Sequence, residues 1–265
     1  MASKLDEVKL FLFDLDGTVY LGDKEIAGSY AAIQELRDMG KQVCVFTNNS
    51  SRSHNDYVTR LNDMGFKVST EEVYTSGEVT CDYIGENYKG KRVFLLGNNR
   101  LIGEFLENGI KVVDDNPDLV VLAFDTTLTY DKLYKFCVFV SKGIPYIATH
   151  PDYFCPGPDG PMPDAGALID AVKDTTGRMP DFILGKPYPT AGEIIKKRFN
   201  LNRNEIAMVG DRLYTDIAFG QNCGFTSILV LSGETTQKDY DISKIKADYV
   251  FDFVRDIPKN IGKGL

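Results

Sequence analysis

Histidine and cysteine are scarce in this chain of 265 residues, and their positions exclude several kinds of site. The two histidines, His54 and His150, lie far apart in the sequence, which disfavours a histidine-rich metal centre or a Ser-His-Asp triad. The five cysteines are scattered, so neither a zinc knuckle nor a CxxC redox pair is present. Buried cysteines in a reducing compartment are the simpler interpretation. We therefore expect the chemistry of this chain to depend on carboxylates.

Long apolar runs and basic clusters are also missing. The longest unbroken apolar run, Leu119–Phe124, has six residues, whereas a membrane helix needs about 20. The first residues contain no apolar segment of the kind found in secretion signals, so we expect a cytoplasmic protein that does not enter a membrane. The net charge is −8 and no basic cluster occurs, which argues against a nucleic acid polymer as partner.

Short apolar runs and amphipathic runs alternate along the chain, whose length allows one large domain or two modest ones. Continuous apolar strands separated by helices are typical of an α/β fold, a parallel sheet with helices on both faces. A Thr190-x-x-Glu193 capping box predicts the start of a helix near residue 191. The predicted strands are Val8–Phe13, Gln42–Phe46, Val93–Leu96, Leu119–Phe124, Tyr146–Ala148, Phe182–Leu184, Glu205–Val209 and Ser227–Leu231. The predicted helices are Ala31–Met39, His54–Met64, Tyr130–Ser141, Ala165–Thr175, Ala191–Phe199 and Thr215–Asn222.

Polar side chains follow four of the predicted strands. In an open parallel sheet, ligands bind beyond the carboxyl ends of the strands, so these residues are the candidates for a site. They are Asp14 and Asp16 after the first strand, Thr47 and Asn48 after the second, Lys186 after Phe182–Leu184, and Asp211 with Asp216 after Glu205–Val209.

Each of these groups by itself also fits an ordinary structural role. Asp-x-Asp-Gly is commonly a turn, Thr-Asn-Asn-Ser fits a helix-capping turn, and a lysine before proline fits a solvated loop. Their shared position at strand ends favours a site, because three facing carboxylates repel one another unless a cation lies among them. Oxygen ligands without histidine or thiolate indicate a hard ion, Mg²⁺, and a lysine with a hydroxyl beside it suits a phosphate dianion.

Four ordered motifs carry a family resemblance. Asp14-Leu15-Asp16-Gly17-Thr18-Val19, Thr47, Lys186 and the run Gly210 to Asp216 resemble the motifs of the haloacid dehalogenase (HAD) superfamily. Asp-Gly-Thr-Val-Tyr, Thr-Asn-Asn-Ser, Gly-Lys-Pro and Gly-Asp-Arg-x-x-Thr-Asp are similar to the NagD-like phosphatases of subfamily IIA, which have a C2-type cap. The resemblance covers nearly the whole chain, and it implies a Rossmann-like core with an inserted α/β cap.

The resemblance also implies a role for each site residue. Asp14 would be the nucleophile that forms an aspartyl-phosphate, and Asp16 would act as general acid and then as general base. Thr47, the backbone amide of Asn48, and Lys186 would bind the phosphoryl group. Mg²⁺ would be held by the side chain of Asp14, the backbone carbonyl of Asp16 and the side chain of Asp211, with Asp216 direct or through water.

The long stretch between Thr47 and Lys186 predicts the cap. By resemblance, residues 80–182 form the cap, and residues 1–79 with 183–265 form the catalytic core. Residues 151–163 hold five prolines and two glycines, which predicts either a functional loop or a rigid solvent-facing connection. His150 stands where relatives usually have Asn, so contact with substrate and a purely structural role both stay open.

These inferences predict a Mg²⁺-dependent phosphomonoesterase for small phosphorylated metabolites. The candidate substrates are a sugar phosphate, phosphoglycolate, a nucleotide monophosphate and an aryl phosphate such as p-nitrophenyl phosphate. Two alternatives stay open at this point: a phosphomutase with the same intermediate, and a binding protein for a phosphorylated metabolite without catalysis. The resemblance also leaves a homodimer as an open expectation, because relatives often dimerise.

Overall fold

The computed structural model describes residues 4–157 and 159–263. The strands are β1 Leu10–Phe13, β2 Tyr20–Leu21, β3 Lys24–Glu25, β4 Gln42–Thr47, β5 Val73–Thr75, β6 Arg92–Leu96, β7 Lys111–Val112, β8 Leu119–Leu122, β9 Tyr146–Ala148, β10 Phe154–Gly157, β11 Gly160–Pro163, β12 Phe182–Ile183, β13 Ile206–Gly210, β14 Thr226–Val230 and β15 Tyr249–Phe251. The helices are α1 Lys4–Glu7, α2 Ser29–Asp38, α3 His54–Asp63, α4 Ser76–Asn87, α5 Asn99–Glu107, α6 Tyr130–Ser141, α7 Ala165–Thr176, α8 Pro189–Phe199, α9 Ala218–Cys223 and α10 Gln237–Ile242. Among these described helices, none is long and apolar enough to cross a membrane.

The chain forms two compact units. The first unit comprises Met1–Thr47, Tyr57–Tyr74 and Lys186–Leu265, and the second comprises Asn48–Asp56 and Thr75–Gly185. The core and cap predicted from the sequence divide the chain at 79/80 and 182/183, and that division stays a prediction. The segment Asn48–Asp56, which directly follows β4, belongs to the second unit.

The first unit is built on a six-stranded sheet in the order β15-β14-β13-β1-β4-β5. Strand β1 lies between β13 and β4 and is parallel to both. Strand β14 is likewise parallel to its neighbours β13 and β15. All four residues of β1 are buried, because strands flank it on both sides and side chains cover both its faces. The predicted parallel α/β fold is therefore confirmed.

Alternation along the strands divides the side chains of this sheet between its two faces. One face carries Phe11, Phe13 and their neighbours, which pack with Ile33 and Leu36 of α2 in one apolar core. On the other face, α9 approaches so closely that a Cβ atom at Gly220 would lie 3.0 Å from that of Ser227. Helices therefore cover both faces, as the continuous apolar strands predict.

The second unit contains a five-stranded sheet in the order β12-β9-β8-β6-β7, whose paired strands are all parallel. Its apolar core joins side chains of β6, β8 and β9 to those of α6 and α7. A separate antiparallel hairpin pairs β10 with β11, so much of the proline-rich segment 151–163 is paired strand rather than loop. Residue 158 of that segment lies outside the described residues.

Helix α8 begins earlier than the sequence pattern predicts. Its first residue is Pro189, and Tyr188 at the N-cap provides no side-chain hydrogen bond. The capping box predicted from Thr190 and Glu193 is therefore wrong. Proline suits the first helical position because its φ angle is already helical and its missing N–H has no partner there. Glu193 instead pairs with Lys196 at 3.0 Å and Arg203 at 2.6 Å.

Candidate active site

The carboxyl ends of β1, β4 and β13 meet at one edge of the first unit's sheet. Asp14 follows β1, and its backbone N–H donates to the carbonyl of Val209 in β13 at 2.9 Å. Phe13 pairs in register with Val45 of β4, so that strand ends nearby with buried Thr47. Because these strands are neighbours, side chains that follow them lie in the same region.

Lys186 connects two carboxylates within this region. Its side chain is 1% exposed, and Nζ donates to Asp14 Oδ1 at 2.6 Å, Asp216 Oδ1 at 2.7 Å and the Phe46 carbonyl at 3.0 Å. Burial by itself would lower the pKa of Lys186, but Asp14 and Asp216 outweigh it, and the pKa lies above its ordinary value. Lys186 is therefore a fixed positive charge at neutral pH.

Three carboxylates form an acidic cluster next to this lysine. Asp14, Asp211 and Asp216 each offer an oxygen, and these oxygens lie within 4.8 Å of one another. Burial, followed by the charge of Asp14, raises the pKa of Asp211 to about 6. Burial also raises the pKa of Asp216 to about 7; Lys186 opposes this shift, and the charges of Asp14 and Asp211 add to it. The cluster thus holds more negative charge than Lys186 neutralises.

The chemistry of these donors fits a hard divalent cation. All three ligands are carboxylate oxygens, two of them are buried, and no histidine or thiolate belongs to the cluster. Such donors suit Mg²⁺ or Ca²⁺ better than Zn²⁺ or Cu²⁺. A cation among them would favour the ionised forms and reverse the rise in the pKa values of Asp211 and Asp216.

Asp211 is positioned by the loop that follows β14. The Glu234 backbone N–H donates to Asp211 Oδ2 at 2.7 Å, and the hydroxyl of Thr18 lies 3.3 Å from Oδ1. Both Gly17 and Gly233 leave room for this carboxylate, since a Cβ atom at either position would collide with it. Gly17 also has a φ of +83°, which favours glycine. The two glycines therefore allow backbone to approach the acidic cluster closely.

Asp216 lies on a single turn of π-helix, Leu213–Ile217, that precedes α9. The backbone N–H of Arg212 donates to Asp216 Oδ2 at 3.1 Å, and Gly210 has no side chain that would clash with this carboxylate. The sequence predicts one regular helix from Thr215 to Asn222, which is wrong for its first turn. Turns of π-helix are rare and often occur at functional sites, and this one carries a member of the acidic cluster.

The remaining predicted site residues have different surroundings. The side chain of Asp16 is exposed, and its backbone forms a bridge with Tyr20. Thr47 is buried at the last position of β4. Asn48 belongs to the second unit, where its Nδ2 donates to both carboxylate oxygens of Asp152 at 3.1 and 3.2 Å. The structure thus brings together Asp14, Lys186, Asp211 and Asp216 in the first unit.

Sequence reasoning missed the loop after β14. Ser232, Gly233 and Glu234 follow a predicted strand, so the strand-end rule that selected Asp14 applied to them as well. The Glu234 carboxylate also forms an ion pair with Arg212 at 2.9 Å. Residue type alone does not reveal this contribution, because the backbone N–H of Glu234 makes the contact with Asp211.

Comparison with known proteins gives consistent matches along the chain. A family model described as haloacid dehalogenase-like hydrolase matches residues 11–111, and a second HAD-like hydrolase model matches residues 183–257. An acid sugar phosphatase of Staphylococcus haemolyticus is 36% identical over 92% of this chain and 92% of its own length.

Solved structures are similar over nearly the full length. A 4-nitrophenylphosphatase from Thermotoga maritima is 45% identical, has a TM-score of 0.94, and the alignment covers 97% of this chain and 98% of that one. A glycerol phosphate phosphatase from Mycobacterium tuberculosis, solved in complex with calcium, is 28% identical with a TM-score of 0.89. That alignment covers 98% of this chain and 78% of the mycobacterial one.

Proposed function

This chain belongs to the haloacid dehalogenase-like hydrolase family, and from that membership we propose a Mg²⁺-dependent phosphomonoesterase that acts through an aspartyl-phosphate. The family predicted from the four motifs is confirmed, and the chain is a phosphatase of that family. The observation that carries the mechanism is the ammonium of Lys186, which bridges Asp14 and Asp216 beside Asp211.

The first half of the reaction transfers the phosphoryl group to Asp14. A carboxylate oxygen of Asp14 forms a bond to phosphorus while the ester P–O bond breaks. Asp16 gives its proton to the departing oxygen, which leaves as an alcohol. The exposed position of Asp16 makes its carboxyl accessible to a substrate and to water, as both halves of the reaction require.

The second half releases inorganic phosphate. Asp16, now ionised, takes a proton from a water whose oxygen bonds to phosphorus, and the bond between Asp14 and phosphorus breaks. Lys186, the hydroxyl of Thr47 and the backbone amide of Asn48 bind the phosphoryl oxygens and balance their charge. Asp14, Asp211 and the Asp16 carbonyl, with Asp216 directly or through water, would hold Mg²⁺, which would supply further positive charge when bound.

We propose small phosphorylated metabolites as substrates. The relatives are described as acting on sugar phosphates, glycerol phosphate and nitrophenyl phosphate, which share a phosphomonoester and little else. This diversity supports a site that recognises the phosphate group and does not require one particular leaving group. The predicted cytoplasmic location and the predicted homodimer stay predictions.

Phosphate release from p-nitrophenyl phosphate and from a panel of sugar phosphates, with and without Mg²⁺, tests the proposal. We expect wild-type protein to release phosphate and Asp14→Asn to release none while it remains folded. Asp23→Asn, an exposed carboxylate of the same unit, is the matched control and keeps full activity. Phosphate release by Asp14→Asn would exclude Asp14 as the nucleophile. An isomer formed without net phosphate would identify the phosphomutase, and phosphate ester binding without turnover would identify the binding protein.

A second variant isolates the proposed acid. Asp16→Asn lowers the rate most for substrates with poorly leaving alcohols, because these need protonation, and least for nitrophenolate. An unchanged rate together with an unchanged dependence on the leaving group would exclude Asp16 as acid and base, whereas an equal rate loss for both classes would leave it only the role of base in the second half.

A further inference from the structure

The segment Asn48–Asp56 follows a strand of the first unit but packs as part of the second. The Ser51 carbonyl accepts from Asn98 Nδ2 at 2.8 Å, the His54 backbone N–H donates to Glu104 at 2.8 Å, and Asp56 pairs with Arg100 at 3.6 Å. This segment begins with the peptide that joins Thr47 to Asn48. Its anchoring therefore determines where the N–H of that peptide points.

Ser50 is the centre of this anchoring. Its side chain is completely buried, and its Oγ lies 3.0 Å from the backbone N of Phe124, 3.1 Å from Thr149 Oγ1 and 3.2 Å from His150 Nε2. A serine hydroxyl has one proton to donate and two lone pairs to accept with. All three contacts are satisfied if Phe124 and His150 donate to Ser50 and Ser50 donates to Thr149.

The surroundings of the two ring nitrogens favour one tautomer of His150. It is completely buried, and burial lowers its pKa despite the opposing charge of Asp164, so the imidazole is neutral at pH 7. Its Nδ1 has no hydrogen-bond partner among the described residues, and the nearest Asp152 oxygen is 3.8 Å away. The proton therefore belongs on Nε2, which lies 3.2 Å from Ser50 Oγ and 3.5 Å from Asp164 Oδ1.

Residues of the second unit hold both the side chain and the backbone carbonyl of Asn48. Its amide group donates to Asp152, two residues after His150, and its backbone carbonyl accepts from the hydroxyl of Ser76. A Cβ atom at Gly185 would lie 2.6 Å from Asn48 Oδ1, so the Asn48 side chain fits closely against this glycine. Both the side chain and the carbonyl of Asn48 are thus fixed by contacts within the second unit.

We propose that Ser50 and His150 are positioning residues that hold the Asn48 peptide N–H for the phosphate dianion. The inference rests on the proposed function in one respect, namely that this N–H binds the phosphoryl group. His150 then serves the reaction through Ser50 and makes no contact with substrate.

The tautomer of His150 is a direct test that does not need turnover. The chain has two histidines, so ¹⁵N labelling of histidine gives two imidazole systems, and His150→Gln assigns them by loss of one. We expect His150 to be neutral with its proton on Nε2 at about pH 7. A proton on Nδ1, or a charged imidazolium, would contradict the proposed hydrogen bonds.

Affinity for inorganic phosphate, measured by calorimetry with Mg²⁺ present, tests the positioning role. Ser50→Ala and His150→Leu each raise the Kd of phosphate and lower kcat/KM by about tenfold or more, because small displacements of a binding group are costly. His150→Gln keeps a hydrogen-bond donor near the Nε2 position, so its Kd of phosphate and its kcat/KM should lie close to those of wild type. Val172→Ala, at a fully buried position of the same unit's core, controls for lost stability.

The outcomes separate this inference from the proposed function. If Val172→Ala with equal loss of stability raises the Kd as much as Ser50→Ala, the role of Ser50 is only structural. If Ser50→Ala leaves the Kd unchanged while wild type releases phosphate, the inference fails and the function stands. If wild type binds phosphate but hydrolyses no ester, and Ser50→Ala weakens binding, the inference stands without the function. A wild type that neither binds phosphate nor releases it from any ester excludes both.

Discussion

Glu104 is a buried carboxyl whose protonation should control the stability of the protein. Its side chain lies on α5 in the second unit, is 5% exposed, and its Oε1 accepts from the backbone N–H of His54 at 2.8 Å. Burial raises its pKa from the ordinary 4.5 to about 7; the His54 N–H opposes this shift and the charge of Glu78 adds to it. Glu107 makes a smaller contribution in the same direction.

This shift predicts that the folded state loses stability as the pH rises. Below the unfolded-state pKa of 4.5, Glu104 is protonated in both states and has no effect on the pH dependence. Between that value and about 7 the unfolded chain releases the proton while the folded chain keeps it, so the free energy of unfolding falls. The difference between 4.5 and about 7 corresponds to about 3 kcal/mol, lost in full above the folded-state pKa.

Glu104→Gln removes the charge and keeps an acceptor for His54. Urea unfolding of variant and wild type at several pH values should show the variant gaining about 3 kcal/mol relative to wild type between about pH 4.5 and pH 8. Asp211 and Asp216 also have raised pKa values, but they are present in both proteins and cancel in the difference.

Asp174→Asn is the matched control, since Asp174 is exposed on α7 of the same unit. Its stability difference from wild type should stay nearly constant over that pH range. If the Glu104→Gln difference is equally constant, Glu104 ionises as an ordinary surface carboxylate, and the reasoning from burial is wrong.

Three further predictions concern the candidate active site. Gly233→Ala places a methyl group against Asp211 and should weaken Mg²⁺ binding, measured by calorimetry, by about tenfold or more. Lys186→Met leaves the carboxylates of Asp14 and Asp216 without their counter-charge, so we expect loss of phosphate release and a destabilisation of about 3–5 kcal/mol in urea unfolding. Removal of Mg²⁺ by a chelator should stop phosphate release, and added Mg²⁺ should restore it.

Matched controls make these outcomes decisive. Gly85→Ala, where the added methyl group meets open space, should leave Mg²⁺ affinity unchanged, and an equal loss there would exclude a local effect at Asp211. Lys259→Met removes a lysine that is 62% exposed, and it should alter neither activity nor stability noticeably. Full activity without any divalent cation would exclude the proposed metal.

The parallel fold could be predicted from the sequence because its buried strands are short and almost wholly apolar. β9 and α6 have the predicted bounds, and the other predicted strands and helices differ by about one to three residues at their ends. Eleven of the described elements, among them α4 and α5, are not predicted. The strand-end rule also selected Asp14, Lys186, Asp211 and Asp216, which lie together in the structure. That rule works because a parallel sheet brings all of its carboxyl ends to one edge.

Other features depend on contacts that residue patterns do not encode. The Glu234 contribution to Asp211 is a backbone N–H, and the association of Ser50 with His150 joins positions a hundred residues apart. The segment 151–163 forms a hairpin despite its prolines, because a two-stranded hairpin consists entirely of edge strands, whose outer N–H positions need no partner. In each case long-range contacts determine a structure that local composition leaves open.

The three protons on the Lys186 nitrogen have consequences for what happens when a phosphoryl group arrives. Each proton already faces an oxygen, two of them charged and one the neutral carbonyl of Phe46. An incoming anionic oxygen competes most easily with the neutral carbonyl, since hydrogen bonds between charged groups are the stronger ones. A phosphoryl oxygen would then replace the Phe46 carbonyl as one acceptor of Lys186, while the ammonium would stay bound to the two aspartates. The Phe46 carbonyl would lose this hydrogen bond when the site is occupied.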